Sequence, residues 1–275
     1  MEAKFVDVTP KIAEQWLTKN LKNRKITELT VESYARDMKK GFWAETGDTI
    51  KFDEEGILID GQQRLNAIIY SGSTQKLLVV RGIKKTFFDG HLVQETIDRG
   101  RPRSPGDNLK IAYGYDYATA KASIALWIAY LCIQKQVKLT TSQTYEILNI
   151  YKEEVNAVIT NQGHTRGLNL APVMSALVFA AQCYKNETIE FEKKYFSGES
   201  LKKGNPSFTL RNWMLEIRTK GRNNRITIQK NTLTALYYHI SNKELKKLIP
   251  SHQGYDFFLS KQRKTVNQIE DLLRY

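Results

Sequence analysis

The chain has 275 residues, with 42 Lys and Arg against 29 Asp and Glu and a formal net charge of +13. That length holds one large domain or two small ones around a sizeable core. The charge favours an acidic partner, nucleic acid first, although a basic surface that only keeps a protein in solution fits the same count.

The start, Met-Glu-Ala-Lys-Phe, lacks the charged-then-apolar pattern of a secretion signal. No apolar run reaches the length of a membrane span, so the expected location is the cytoplasm and no membrane partner is expected. Two cysteines, Cys132 and Cys183, lie in apolar helical stretches and read as buried free thiols. The four histidines are scattered away from them, which argues against a structural zinc site.

In chain order, Thr9-Pro10 followed by Ile12, Ala13, Trp16 and Leu17 predicts a capped helix ending near Asn20. Thr30 is expected to cap a second helix with Val31, Tyr34, Ala35 and Met38 on one face, closed by Gly41. Phe42 and Trp43 then fold back as core, with base stacking the alternative for Trp43. Thr49–Phe52 and Gly56–Ile59 flank Asp53-Glu54-Glu55 and read as a hairpin with a solvated acidic tip. Lys76–Val80, apolar after its first residue, is expected as a central strand.

Between the hairpin and that strand lies Asp60-Gly61-Gln62-Gln63-Arg64, followed by Leu65, Ile68 and Ile69 at helical spacing. A strand, a glycine turn and a helix start make an anion site, because the first N–H groups of a helix lack partners inside it. Gly61 lets backbone approach a ligand closely, and the planar fork of Arg64 suits two phosphate oxygens. Asp60 either holds a metal or a hydroxyl or simply caps the helix. A second stretch, Ile97-Asp98-Arg99-Gly100-Arg101-Pro102-Arg103-Ser104, places three arginines in a loop fixed by Gly100 and Pro102. A phosphate partner accounts for packed arginines; a solvated basic loop is the alternative.

From Asp116 onward the sequence reads as about six helices. The expected spans are Ala122–Val137, a Ser142-capped helix from Tyr145 to Ile159, and Val173–Tyr184 capped by Asn169. Glu187–Phe196, Pro206–Ile217 and Asn231–Ile240 complete the set. Lys202, Lys203, Arg211, Arg218, Lys220, Arg222, Arg225 and Lys230 between and along them would form a phosphate-tracking patch if gathered on one face. Tyr237 and Tyr238 are expected to pack as core rather than stack bases. No helix-turn-helix pattern stands out, so backbone binding is favoured over sequence reading.

The helix ending in glycine, the hairpin, Asp-Gly-Gln-Gln-Arg-Leu opening a helix and the following strand together resemble the ParB/sulfiredoxin-like superfamily. The motif is most similar to Asp-Gly-Gln-Gln-Arg and Asp-Gly-Gln-His-Arg proteins of modification-dependent restriction and DNA-phosphorothioation systems. The Ile97–Ser104 stretch looks like ParB-like proteins of phages and mobile elements. The resemblance spans residues 5 to 110 and implies a small mixed α/β domain over 1–112; with the helical pattern that follows, the chain reads as an α+β protein with an all-helical domain over 113–275. It also implies a nucleoside triphosphate, with or without Mg²⁺, and DNA or another nucleic acid as partner.

Carried over, Gly61 and Gln62 with the amides that follow would cradle the phosphate and Arg64 would hold it. Asp60, Gln63 and Arg64 would be the catalytic set, and Arg99, Arg101, Arg103 and Ser104 would add phosphate contacts. Hydrolysis of a nucleotide or phosphotransfer is the implied chemistry. Gln62 stands where sulfiredoxin needs a cysteine, which excludes that redox reaction, and the Glu-Arg-Arg form of the partition proteins is absent. Two rivals stand beside this reading. One is a non-catalytic DNA- or partner-binding protein, a counter-defence protein among them; the other is a nuclease with a metal held by Asp60 and Asp98.

Overall fold

The computed structural model describes residues 1–21, 23, 25–86, 93, 104–161, 163, 165, 167–199, 202–219, 224–249 and 251–274. The protein is mixed α+β, with thirteen helices and four strands among the described residues. It divides into two units: Met1–Arg103 with Lys138–Ser142 and Leu273–Tyr275, and Ser104–Val137 with Gln143–Leu272.

The first unit runs β1 (Glu2–Val8), α1 (Pro10–Leu17), α2 (Glu28–Lys40), β2 (Thr49–Asp53), β3 (Leu58–Asp60), α3 (Gln62–Ser71) and β4 (Gln75–Ile83). The sheet order is β1-β4-β2-β3; β1 is antiparallel to β4, β4 parallel to β2, and β2 antiparallel to β3. Helices α1, α2 and α3 cover one face, where Val8, Ala13, Ala35, Ile50, Phe52, Leu58, Leu65, Ile68 and Val79 form a core. Each large side chain among them contributes about 1.5–3 kcal/mol on burial.

Local chemistry explains the boundaries. Thr9 accepts from the Ile12 N–H at 3.2 Å and Pro10 sits in the first turn, as expected for α1. The second helix begins one turn earlier than its apolar stripe suggests: Thr27 and not Thr30 holds the N-cap position, and Glu28 opens the helix, where a negative charge suits the dipole. Gly41 closes it in a left-handed conformation at φ 74°. Trp43 packs on the core beside Tyr34, with ring centroids 5.0 Å apart, while Phe42 is half exposed.

Strand β4 is central, but only Leu77 and Val79 point into the core; Leu78 and Val80 are half-buried on the other face. The hairpin turn is less solvated than its acidic letters suggest. Asp53 is buried and accepts from the N–H groups of Glu55 at 3.0 Å and Ile57 at 2.8 Å, tying the turn shut, while Glu54 and Glu55 are exposed.

The second unit is helical: α4 (Pro105–Tyr113), α5 (Ala118–Ile133), α6 (Thr141–Ile150), α7 (Lys152–Asn161), α8 (Ala171–Ala181), α9 (Lys185–Ser197), α10 (Pro206–Thr219), α11 (Arg225–Ile240), α12 (Gln253–Lys261) and α13 (Arg263–Leu273). From Asp116 onward nine helices, α5 to α13, stand among the described residues where about six were expected. The expected helix from Tyr145 to Ile159 is two, meeting at the buried Tyr151, whose hydroxyl donates to Gln262 Oε1 at 3.2 Å. Ser142 lies in the first turn of α6, and Leu170 rather than Asn169 precedes α8. Helix α8 is buried all round from Pro172 to Ala181. Gln229 on α11 holds it in place, donating to Ser175 Oγ on α8 and to the Trp127 carbonyl on α5, both at 2.8 Å.

Helix α4 crosses α5 closely because Gly106 lacks a Cβ; an added one would lie 2.8 Å from Thr119 Cα. Cys132 is buried as expected, but Cys183 is exposed at the end of α8. Among the described residues no helix is long and apolar enough to cross a membrane.

Candidate functional site

The join between β3 and α3 puts Asp60 at the strand end, Gly61 at the N-cap and Gln62 first in the helix. Gly61 adopts φ 105°, a conformation that side-chain-bearing residues rarely take. A Cβ there would also run into the Ile50 side chain and lie 3.3 Å from Ile50 Cα on β2. The open side of Gly61 is therefore filled by Ile50. Having no side chain, Gly61 gives the start of α3 no side-chain cap.

Asp60 does not cap the helix. It faces Lys51 across the β2–β3 ladder, and Lys51 Nζ lies 2.6 Å from its Oδ2. Arg64, one turn into α3, places Nη2 3.3 Å from the same oxygen and donates from Nη2 to the Thr49 carbonyl at 2.8 Å. All three side chains are largely buried, at 27% exposure for Lys51, 13% for Asp60 and 14% for Arg64. Two cations on one carboxylate leave the cluster with one net positive charge beside the helix start. Both bonds of Arg64 use Nη2, so Nη1 and Nε have no partner among the described residues.

The glutamines divide. Gln62 is buried and accepts from Asn20 Nδ2 at 3.0 Å, while Asn23 donates to Asn20 Oδ1 at 2.6 Å and to the Leu58 carbonyl at 2.7 Å. This chain of amides ties the loop after α1 to the β3–α3 join. Gln63 lies on a different side of the turn, and its Oε1 is buried with no hydrogen-bond partner.

Sequence reasoning missed Lys51, Asn20 and Asn23. The hairpin register places Lys51 opposite Asp60, so the first pairing follows from that register. Asn20 is read from the sequence only as the end of the first helix, and Asn23 is given no role there.

The Arg-rich stretch contributes one described residue. Asp98, Arg99, Arg101 and Arg103 lie outside the described residues. Ser104 is the N-cap of α4 in the second unit: its hydroxyl accepts from the Asp107 N–H at 3.1 Å and its backbone N–H donates to Asp107 Oδ2 at 2.9 Å, a capping box. Of the basic residues of the helical half, Lys220 and Arg222 lie outside the described residues. Arg211 turns inward, donating to the carbonyls of Tyr195 at 2.6 Å and Phe196 at 2.9 Å at the end of α9. Lys230 lies over the Tyr255 ring at 5.6 Å.

The described residues do not fit a metal held by the protein at Asp60. Lys51 and Arg64 take up its Oδ2, an ion-pair arrangement, and no group of three or more His, Cys, Asp and Glu side chains gathers among the described residues.

Compared with known proteins, the chain matches no family model, and neither the curated proteins nor the solved structures hold a significant match.

Proposed function

We propose that the start of α3 is a phosphate site and that the chain is a nucleotide- or phosphate-binding protein of the ParB/sulfiredoxin-like kind acting with DNA. The observation that carries this is a helix start without a side-chain cap, flanked by the unpartnered edge of Arg64 and by Lys51. Phosphate oxygens would meet oriented N–H groups, the positive end of the helix dipole and a guanidinium already aimed by Asp60 and Thr49. Asp60 acts here as the positioning residue for both cations. Gln63 supplies an amide oxygen without an intramolecular partner, suited to accepting from a water or a nucleotide hydroxyl. Any Mg²⁺ would arrive on the triphosphate, because Mg²⁺ takes most of its ligands from phosphate and water. The formal net charge of +13 supports nucleic acid as the larger partner.

A second reading has its own observation. The bonds from Asp60 to Lys51, from Gln62 to Asn20 and from Arg64 to Thr49 also brace the hairpin and the loop after α1. The same residues would serve a non-catalytic DNA- or partner-binding protein as a locked turn.

Calorimetric titration of ATP, GTP, CTP and their diphosphates, with and without Mg²⁺, separates the two. The variants are Arg64→Ala and Gln63→Leu. Arg64→Ala is expected to remove the saturable binding made at the join, and it also lowers stability by about 1.5–3 kcal/mol because a charged hydrogen bond to Thr49 is lost. Gln63→Leu is expected to weaken binding at least tenfold while leaving the denaturation midpoint unchanged or raised, since it removes an unpaired buried acceptor. Binding by no nucleotide, or binding that both variants retain, favours the locked turn.

A further inference from the structure

A second cleft opens in the helical unit, between α4, α5, α6 and α7, with a volume of about 370 Å³, within the size range of small-ligand sites. Its walls include Tyr113, Tyr115, Tyr145, Lys121, Lys152 and Asn149. Tyr113 and Tyr145 stack with centroids 4.3 Å apart and planes at 20°. Tyr115 stands edge-on to both, at 6.5 and 6.3 Å. Lys121 reaches in from α5, with Nζ 5.0 Å from the Tyr115 ring centre and 3.0 Å from Asn156 Oδ1.

Packing alone does not account for the cluster. Tyr113 is 46% exposed, so the stacked pair sits at the mouth of the cleft and not in the core. One carboxylate, Asp116, faces two lysines in the lining, which leaves the cleft positive. Aromatic faces recognise planar rings, lysines recognise anions, and side-chain amides serve the edges of a base or the hydroxyls of a sugar.

We propose that this cleft holds one nucleotide unit, with its base against the tyrosine cluster and its phosphate between Lys121 and Lys152. The proposal uses no residue of the β3–α3 join and stands whether or not that join binds phosphate. The nucleotide unit has two sources, a free mononucleotide or one residue of a single strand.

The test uses the full-length protein and its Tyr113→Ala, Tyr113→Phe and Lys121→Ala variants. AMP and TMP are titrated by calorimetry, and 5′-labelled oligothymidylate is titrated by fluorescence anisotropy at low salt. Loss of a stacking face is expected to weaken binding roughly 5- to 100-fold. Lys121→Ala is expected to weaken it and flatten its salt dependence, while Tyr113→Phe retains it. Mononucleotide binding with this pattern assigns the cleft to a free nucleotide; oligonucleotide binding alone with this pattern assigns it to a single strand. Binding by neither ligand, or binding that Tyr113→Ala and Lys121→Ala leave intact, overturns the proposal. Circular dichroism shows whether each variant is folded, and Tyr113→Phe keeps the ring in place if the alanine variant unfolds.

Discussion

Glu192 on α9 is 1% exposed, its Oε1 has no hydrogen-bond partner, and its one counterweight is a hydrogen bond from Asn161. Burial pushes its carboxyl from an ordinary 4.5 up to about 8. The folded protein therefore carries this proton at neutral pH, whereas the unfolded chain has released it. Between pH 4.5 and about 8 the unfolded state binds fewer protons, so stability falls as pH rises and levels off above the folded value. At about 1.4 kcal/mol per pH unit, that interval amounts to a ceiling of about 5 kcal/mol. Hydration of the site on ionisation brings the measurable effect nearer to 2–3 kcal/mol. Glu192→Gln mimics the protonated form without titrating. Urea unfolding of the helical signal at pH 5, 6, 7 and 8 is expected to give similar midpoints for wild type and variant at pH 5. By pH 8 the variant is expected to be more stable by about 2–3 kcal/mol. Curves that stay parallel across this range would refute a buried, proton-holding Glu192.

Gly61→Ala forces a side chain into the left-handed region and against Ile50. The expected cost is about 2–4 kcal/mol, read from the denaturation midpoint, and a loss under 1 kcal/mol would show that the join relaxes around a methyl group. The two thiols are expected to part under iodoacetamide at pH 8 with mass-spectrometric mapping. Burial pushes Cys132 to about 12, so it stays unmodified until the protein unfolds, whereas Cys183 is exposed and reacts first despite an upward shift from partial burial. Equal rates at both positions would contradict the packing of α5.

Where chemistry is local, the fold was legible in the letters. Thr9-Pro10 starts a helix through one hydroxyl and one fixed φ, Gly41 ends one through its positive φ, and the Asp60–Gly61–Gln62 turn joins strand to helix as its spacing implies. Strand β1 escaped notice because only Val6 and Val8 face the core and the rest of it is exposed at the sheet edge. Helix α12 and its junction with α13 are held by partners far back in the chain: Tyr255 donates to the Leu131 carbonyl, and Gln262, between the two helices, to that of Phe179. Such long-range pairing leaves no mark on local spacing. The same holds for the tyrosine cleft, whose walls come from positions 113, 115 and 145 and share no motif.

At the candidate phosphate site the motif letters carry two meanings, and the structure separates them residue by residue. Gly61 is required by its φ and by Ile50, Gln62 by Asn20, and Asp60 by its pairing with Lys51. Those three would be fixed by folding even in a chain that binds nothing. Arg64 is shared: Nη2 braces Thr49, while its other edge is not used by the fold. Loss of binding in Arg64→Ala alone would thus mix a broken brace with a broken site. Gln63 is different, because the fold gives its Oε1 no partner and would be served as well by a leucine. A buried acceptor of this kind costs about 1–3 kcal/mol unless something meets it. The stability and the nucleotide affinity of Gln63→Leu therefore move in opposite directions if the loop is a ligand site, and in a locked turn only the stability moves.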